Sequence, residues 1–151
     1  MDAFNSSVMI ALLPTTTDWC KIELPHLTLV YCGEIEDLSF MDHNELAKVG
    51  LDLALTCRTL SLEIMVSDVF GDDDEKDVDV FLLRPTPQLL AMRDIVKGWN
   101  RSQHPFRPHV TVGPKGSIEE WSIDKIIPTS LVFDRVLVAW GNEHIVYSLR
   151  G

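Results

Sequence analysis

Two short stretches of this chain carry the residue types best suited to chemistry. Pro25-His26-Leu27-Thr28-Leu29-Val30-Tyr31 and Pro108-His109-Val110-Thr111-Val112 each set a histidine and a threonine two residues apart among apolar neighbours. On a β-strand, where side chains alternate between faces, that spacing puts imidazole and hydroxyl on one side and Leu or Val on the other. Two imidazoles let one group take a proton while the other gives one, and two hydroxyls are suited to holding a phosphate between them. The stretches therefore read as half-sites of a metal-independent phosphoesterase, provided the chain brings them together.

The elements that must do so are legible from pattern. Val8 to Leu13 is continuously apolar and ends at Pro14, the mark of a central strand buried on both faces. His26 to Tyr31 is the next strand, closed by Gly33. Asp42 and Glu45 have the spacing of a helix N-cap and its N3 partner, and Leu46, Val49, Gly50, Leu53 and Cys57 then fall on one helical face. Alternation from Leu60 to Ser67 and the β-rich run Val78 to Leu83 predict a hairpin across the acidic turn 71–77. Thr86 caps a second helix with Pro87 at its first position and Leu89, Met92, Val96 and Trp99 on its buried stripe. Leu131 to Trp140 and His144 to Leu149 predict a last hairpin across Gly141-Asn142-Glu143.

Strand, His-Thr strand, helix and hairpin are thus followed by helix, His-Thr strand and hairpin, without a strict repeat. The expected fold is α+β: one bilobal domain over residues 1–151, with two pseudo-symmetric antiparallel-sheet lobes, outer helices and a central cleft carrying both motifs.

Composition bounds the substrate. A net charge of -10, from 23 acidic against 13 basic residues, opposes long-range attraction to another polyanion. A long nucleic-acid duplex is not expected, since its binding rests on phosphate neutralisation by Lys and Arg, whereas a small nucleotide or short oligonucleotide held by local donors is. The cysteines Cys20, Cys32 and Cys57 show no close metal-ligand spacing and are odd in number, which fits a reducing cytoplasm. The apolar run Val8 to Leu13 is too short for a membrane span and follows no basic region, so neither a leader nor a span is expected.

The run His26-Leu27-Thr28-Leu29 with Tyr31 and Gly33-Glu34, together with Phe106 and Pro108-His109-Val110-Thr111-Val112, resembles the 2H phosphoesterase superfamily. Its members include RNA 2',3'-cyclic phosphodiesterases (also called 2'-5' RNA ligases) and viral enzymes that degrade 2'-5'-linked or cyclic oligonucleotide signals. The resemblance runs nearly the whole length, from the first strand at Val8 to Pro14, through Phe70-Gly71, to Tyr147-Ser148-Leu149. It implies that His26 and His109 are the catalytic pair and that Thr28 and Thr111 bind the phosphate, with no cofactor. Gly113-Pro114-Lys115 stands where many members carry a basic residue directly after the second motif, which makes Lys115 the candidate replacement.

Other residues carry blander expectations. The acidic stretch Asp72 to Asp77 lacks the regular oxygen spacing of a calcium loop and reads as a solvated hairpin tip. His43, His104 and His144 have no threonine partner and are expected to be structural or exposed. Trp19, Tyr31, Trp121 and Trp140 are expected in the core, with Trp19 and Trp121 the better candidates for a cleft edge. Two rival functions stay open beside an RNA-end phosphodiesterase: an enzyme clearing cyclic or 2'-5' oligonucleotide signals, in a host cytoplasm if viral, and a non-catalytic nucleotide-binding module.

Overall fold

In the computed structural model the elements run β1 (Ser7–Pro14), β2 (Leu27–Glu34), α1 (Phe40–Thr56), β3 (Leu60–Phe70), β4 (Val78–Leu83), α2 (Pro87–Val96), β5 (His109–Pro114), α3 (Ser117–Asp124), β6 (Ser130–Trp140) and β7 (Glu143–Ser148). The structure describes residues 6–71, 77–124 and 127–151, the side chains of 121–124 excepted. The acidic stretch 72–76 and the Trp121 side chain therefore lie outside the described residues. Among the described residues no helix is long and apolar enough to cross a membrane.

The strands make one seven-stranded sheet with the path β2-β1-β6-β3-β4-β5, and β7 also pairs with β6. Every pairing between these strands is antiparallel. This is the α+β class expected. β1 lies between β2 and β6 and is buried on both faces, Val8, Ile10 and Leu12 in the main core and Met9, Ala11 and Leu13 in a second cluster with Leu137 and Ala139.

The path reads alike from either end, as a His-Thr strand followed by two more strands, and the two limbs join where β6 meets β3. The limbs are not the successive halves of the sequence. The closing hairpin β6–β7 returns to β1, so the first limb is built from both ends of the chain. One edge of β6 serves two partners in turn, β3 at Ser130 to Phe133 and β7 at Arg135 to Trp140.

An apolar core draws on both limbs and on α1 and α2, with Phe133, Ile10, Leu12, Leu27, Leu62 and Leu89 fully buried. Helix α1 begins one turn earlier than expected. Ser39 rather than Asp42 is the N-cap: its hydroxyl accepts from the Asp42 amide at 3.2 Å while the Asp42 carboxylate accepts from the Ser39 amide at 2.8 Å. The same i, i+3 signal occurs twice in succession, and Phe40 and Met41, exposed in the first turn, hide the earlier one.

Gly50 lets α1 lie close on the sheet, since a Cβ there would collide with Val138 on β6 and crowd Tyr147 on β7. The Tyr147 hydroxyl donates to the Ala47 carbonyl of the same helix at 3.2 Å. Helix α2 starts as expected, with the Leu89 amide donating to the Thr86 hydroxyl at 3.2 Å and Pro87 in its first turn. Helix α3 is held at its start by Asp79, whose buried carboxylate accepts from the Gly116 and Ile118 amides at 3.0 Å each.

Candidate active site

Each His-Thr stretch is set by the proline before it. A proline biases its predecessor towards extended backbone, so the strand begins directly afterwards, at Leu27 in β2 and at His109 in β5. The two imidazoles are then held alike. His26 Nδ1 donates to the Leu24 carbonyl at 3.0 Å, and His109 Nδ1 donates to the Arg107 carbonyl at 2.7 Å. A carbonyl can only accept, so both rings carry their proton on Nδ1 and turn the basic lone pair to Nε2.

β2 and β5 end the strand path at opposite ends, yet the sheet bends so that the two strands adjoin. The imidazoles are close enough for a charge on His109 to oppose protonation of His26. Burial is the larger cause, and it holds the His26 pKa below the ordinary 6.5 against the raising effect of the Leu24 carbonyl; His109 and His144 add to the depression. His109 is depressed in the same direction, by burial first and then by the Arg107 guanidinium, with the Arg107 carbonyl acting the other way.

A cavity of about 650 Å³ opens along β2, with Thr28 and Tyr31 in its wall, and is bounded opposite by His109, by Val69, Phe70 and Gly71 at the end of β3, and by the segment from Asn100 to Arg107. That volume suits a small-molecule ligand. Thr28 Oγ1 lies 3.7 Å from Met9 Sδ, a weak acceptor that a phosphate oxygen can displace. Thr111 is half-buried on β5, opposite Val80 of β4. Of the four expected site residues Thr28 and His109 line the cavity, whereas His26 and Thr111 do not.

Several side chains in or near this cleft had no expectation attached. Arg107 lies with its guanidinium carbon 5.0 Å from the centre of the Phe70 ring and pairs with Asp68 at 3.6 Å, while the Phe70 ring meets His109 edge to face at 4.7 Å between centroids. Arg93, from α2, lies 5.1 Å over Phe106 and also lines the cavity. The signal for Arg107 was its place two residues before His109, in Arg107-Pro108-His109. Arg93 is far from either motif on a helix and has no such signal.

Lys115, the expected basic residue, is exposed and does not line the cavity; its amide donates to the Asp77 carbonyl at 3.1 Å. Trp19 is a core residue rather than a cleft edge, buried against Phe81 with its indole donating to the Thr16 carbonyl at 2.7 Å. Of the remaining histidines, His43 is structural, 3.3 Å from Glu143 and edge-on to Trp140. His104 is exposed as expected but lines the cavity, and His144 is exposed on β7 yet acts on His26. Among the described residues no three His, Cys, Asp or Glu gather as a metal-ligand set.

No family model matches the sequence, and no curated protein matches it. Solved structures do. Usb1 from Kluyveromyces marxianus superposes with a TM-score of 0.64 at 11% identity, over 98% of this chain and 100% of that one. TT0787 of Thermus thermophilus gives 0.63 at 14% identity, over 96% and 98%. LigT from E. coli, in its complex with 3'-AMP, gives 0.54 at 15% identity, over 97% and 99%. This chain has their fold, as its resemblance to the 2H phosphoesterases implied.

Proposed function

We propose that this fold carries a phosphodiesterase for a small nucleotide or short oligonucleotide of RNA type, working by proton transfer between His26 and His109 and needing no metal. One observation carries the reading: both histidines, remote in sequence, give Nδ1–H to the carbonyl two residues upstream, so both present Nε2 for acid-base work in adjoining strands. Binding alone does not require two matched proton carriers. The crystallisation of LigT with 3'-AMP supports a nucleotide ligand for this fold.

On a 2',3'-cyclic phosphate, one neutral imidazole takes a proton from water as its oxygen bonds to phosphorus, and the other, protonated, gives a proton to the departing ribose oxygen. On an internal phosphodiester the 2'-hydroxyl takes the place of water, and a cyclic phosphate and a free 5'-hydroxyl result. Thr28 and Thr111 donate to the non-bridging oxygens as charge builds there, so each Thr→Ala substitution lowers kcat on the order of 10- to 1000-fold. Steady-state rates of the two variants check this; wild-type kcat in both removes the threonines from the mechanism.

The function itself is tested with a nucleoside 2',3'-cyclic phosphate, 2'-5' oligoadenylate and a cyclic oligonucleotide, all assayed in EDTA. Turnover of at least one in chelator is expected, and the preferred member separates an RNA-end enzyme from one that clears oligonucleotide signals. Loss of all turnover on chelation, restored by a divalent ion, overturns the scheme. Tight binding without product in a long single-turnover assay selects the non-catalytic module instead.

A further inference from the structure

The His109 imidazole is in contact with a side chain from a strand that does not pair with its own. β4 lies between β5 and β3, with Leu82 opposite both His109 and Val66, and Val80 opposite both Thr111 and Asp68. Residues opposite one another share a face of the sheet, so Asp68 and, two residues on, Phe70 lie on the face that carries His109 and Thr111. From β3 the Phe70 side chain crosses β4, and its ring stands 4.7 Å from the His109 ring between centroids, inclined at 61°. That is the edge-to-face arrangement aromatic pairs prefer.

Phe70 is itself held. The Arg107 guanidinium carbon lies 5.0 Å from the centre of its ring, and Asp68 pairs with that guanidinium at 3.6 Å. Both charged side chains are half-exposed, so their mutual attraction is weak; what the pair supplies is a fixed seat for the guanidinium over Phe70. Arg107 thus bears on His109 twice, since its carbonyl also accepts from Nδ1 at 2.7 Å.

Phe70 is only partly buried and belongs to neither apolar core cluster, so packing of the fold does not account for its place. The ring torsion of a histidine is broad, not confined to a staggered well. The hydrogen bond to the Arg107 carbonyl fixes one nitrogen but lets the ring swing about it, and Phe70 restrains that swing.

We propose that Phe70 is a positioning residue for His109, holding the imidazole plane so that Nδ1 stays on the Arg107 carbonyl and Nε2 stays available for proton transfer. The proposal rests on the phosphodiesterase reading only for what Nε2 does, since the ring's tautomer is measured without substrate.

The ring nitrogens of His109 are observed by 15N–1H correlation in the unliganded wild type, Phe70→Leu and Phe70→Tyr, at a pH where the ring is neutral. Their resonances are identified by their loss in His109→Ala, and circular dichroism confirms that each variant is folded. The wild type is expected to show the Nδ1–H tautomer, Phe70→Leu an averaged mixture with Nε2–H, and Phe70→Tyr, which keeps the aromatic edge, the wild-type pattern. On a nucleotide the wild type turns over, Phe70→Leu should lower kcat on the order of 10- to 100-fold with KM changed by less than about three-fold, because a misplaced proton carrier is felt in the transition state and not in binding.

An unchanged tautomer in Phe70→Leu overturns the proposal, whatever its rates. So does the same loss of the Nδ1–H form in Phe70→Tyr, or a raised KM at unchanged kcat in Phe70→Leu, which would place Phe70 on the substrate instead. A tautomer shift in Phe70→Leu, with no nucleotide turned over by any form, would leave the positioning role standing and remove the catalytic reading alone.

Discussion

Replacing His26 or His109 by alanine is expected to lower kcat on the order of 10²- to 10⁴-fold, the range associated with losing a positioned proton carrier. The folded state should persist, because neither ring is a core residue: both are half-buried at the starts of strands whose inward residues are Leu27, Leu29, Val110 and Val112. Circular dichroism of the variants beside their rates makes the check. Near-wild-type turnover in both variants, with the fold intact, ends the acid-base assignment.

The depressed imidazole pKa values add a sign to this prediction. In the unliganded cleft both histidines protonate below the ordinary 6.5, so near neutrality the base is ready and the acid is scarce. As pH rises, kcat/KM falls through the lowered pKa of the acid, and its optimum lies on the acid side of 6.5.

A bound phosphodiester brings negative charge beside the imidazoles and favours the protonated form, which raises that pKa in the complex. The alkaline limb of kcat should therefore lie at higher pH than the alkaline limb of kcat/KM. Coincident limbs would mean that substrate charge does not reach the acid. Stability follows the same linkage. The unfolded chain binds protons on these rings more readily than the folded one, so their contribution is fully present above 6.5 and is lost as pH falls through the folded values.

The strand placement of the two His-Thr stretches could be read from the sequence because its signal is local. A proline, a histidine and a threonine within one short stretch specify a strand start, a ring position and a shared face without knowledge of the partner strand. Central burial of β1 was readable for a similar reason, since six consecutive apolar residues, Val8 to Leu13, call for cover on both faces.

What could not be read depends on long-range pairing. Nothing in Ser130 to Ser148 signals that this hairpin returns to β1 rather than forming a second lobe with β5; that choice is made by which edges are left open, and β1 has one beside β2. Arg93 was invisible because its neighbours on α2 describe only a helix with a buried stripe, while its place in the cavity wall depends on packing over Phe106. Lys115 was misplaced for the complementary reason: it was judged by sequence distance from a motif, whereas the turn after β5 carries it to the surface. Trp19 lies in the core as expected, where the segment after β1 packs inward with the Lys21 amide donating to the Val112 carbonyl at 2.7 Å.

Phe133→Ala is expected to destabilise the fold by about 3–5 kcal/mol, the cost of removing a large aromatic from a site that cannot collapse. Phe133 is fully buried at the crossing of the two limbs, opposite Leu60 of β3 on one edge of β6 and Pro14 of β1 on the other. The surrounding backbone is tied to the ladder on both sides, so it has little freedom to move in and fill the space. Against a typical total of about 5–15 kcal/mol, such a loss removes a large part of the reserve.

Urea unfolding should show a lower midpoint with a nearly unchanged slope, since the surface exposed on unfolding changes little. Phe133→Leu, which keeps most of the volume, should cost well under the alanine value. Activity gives a second readout, because β6 is the strand through which the limb bearing His26 is joined to the limb bearing His109. If Phe133 holds the limbs in register, Phe133→Leu at a temperature where it is fully folded should still lower kcat, through displacement of His26 relative to His109. Unchanged stability in Phe133→Ala would show that the limbs are joined by something other than this side chain.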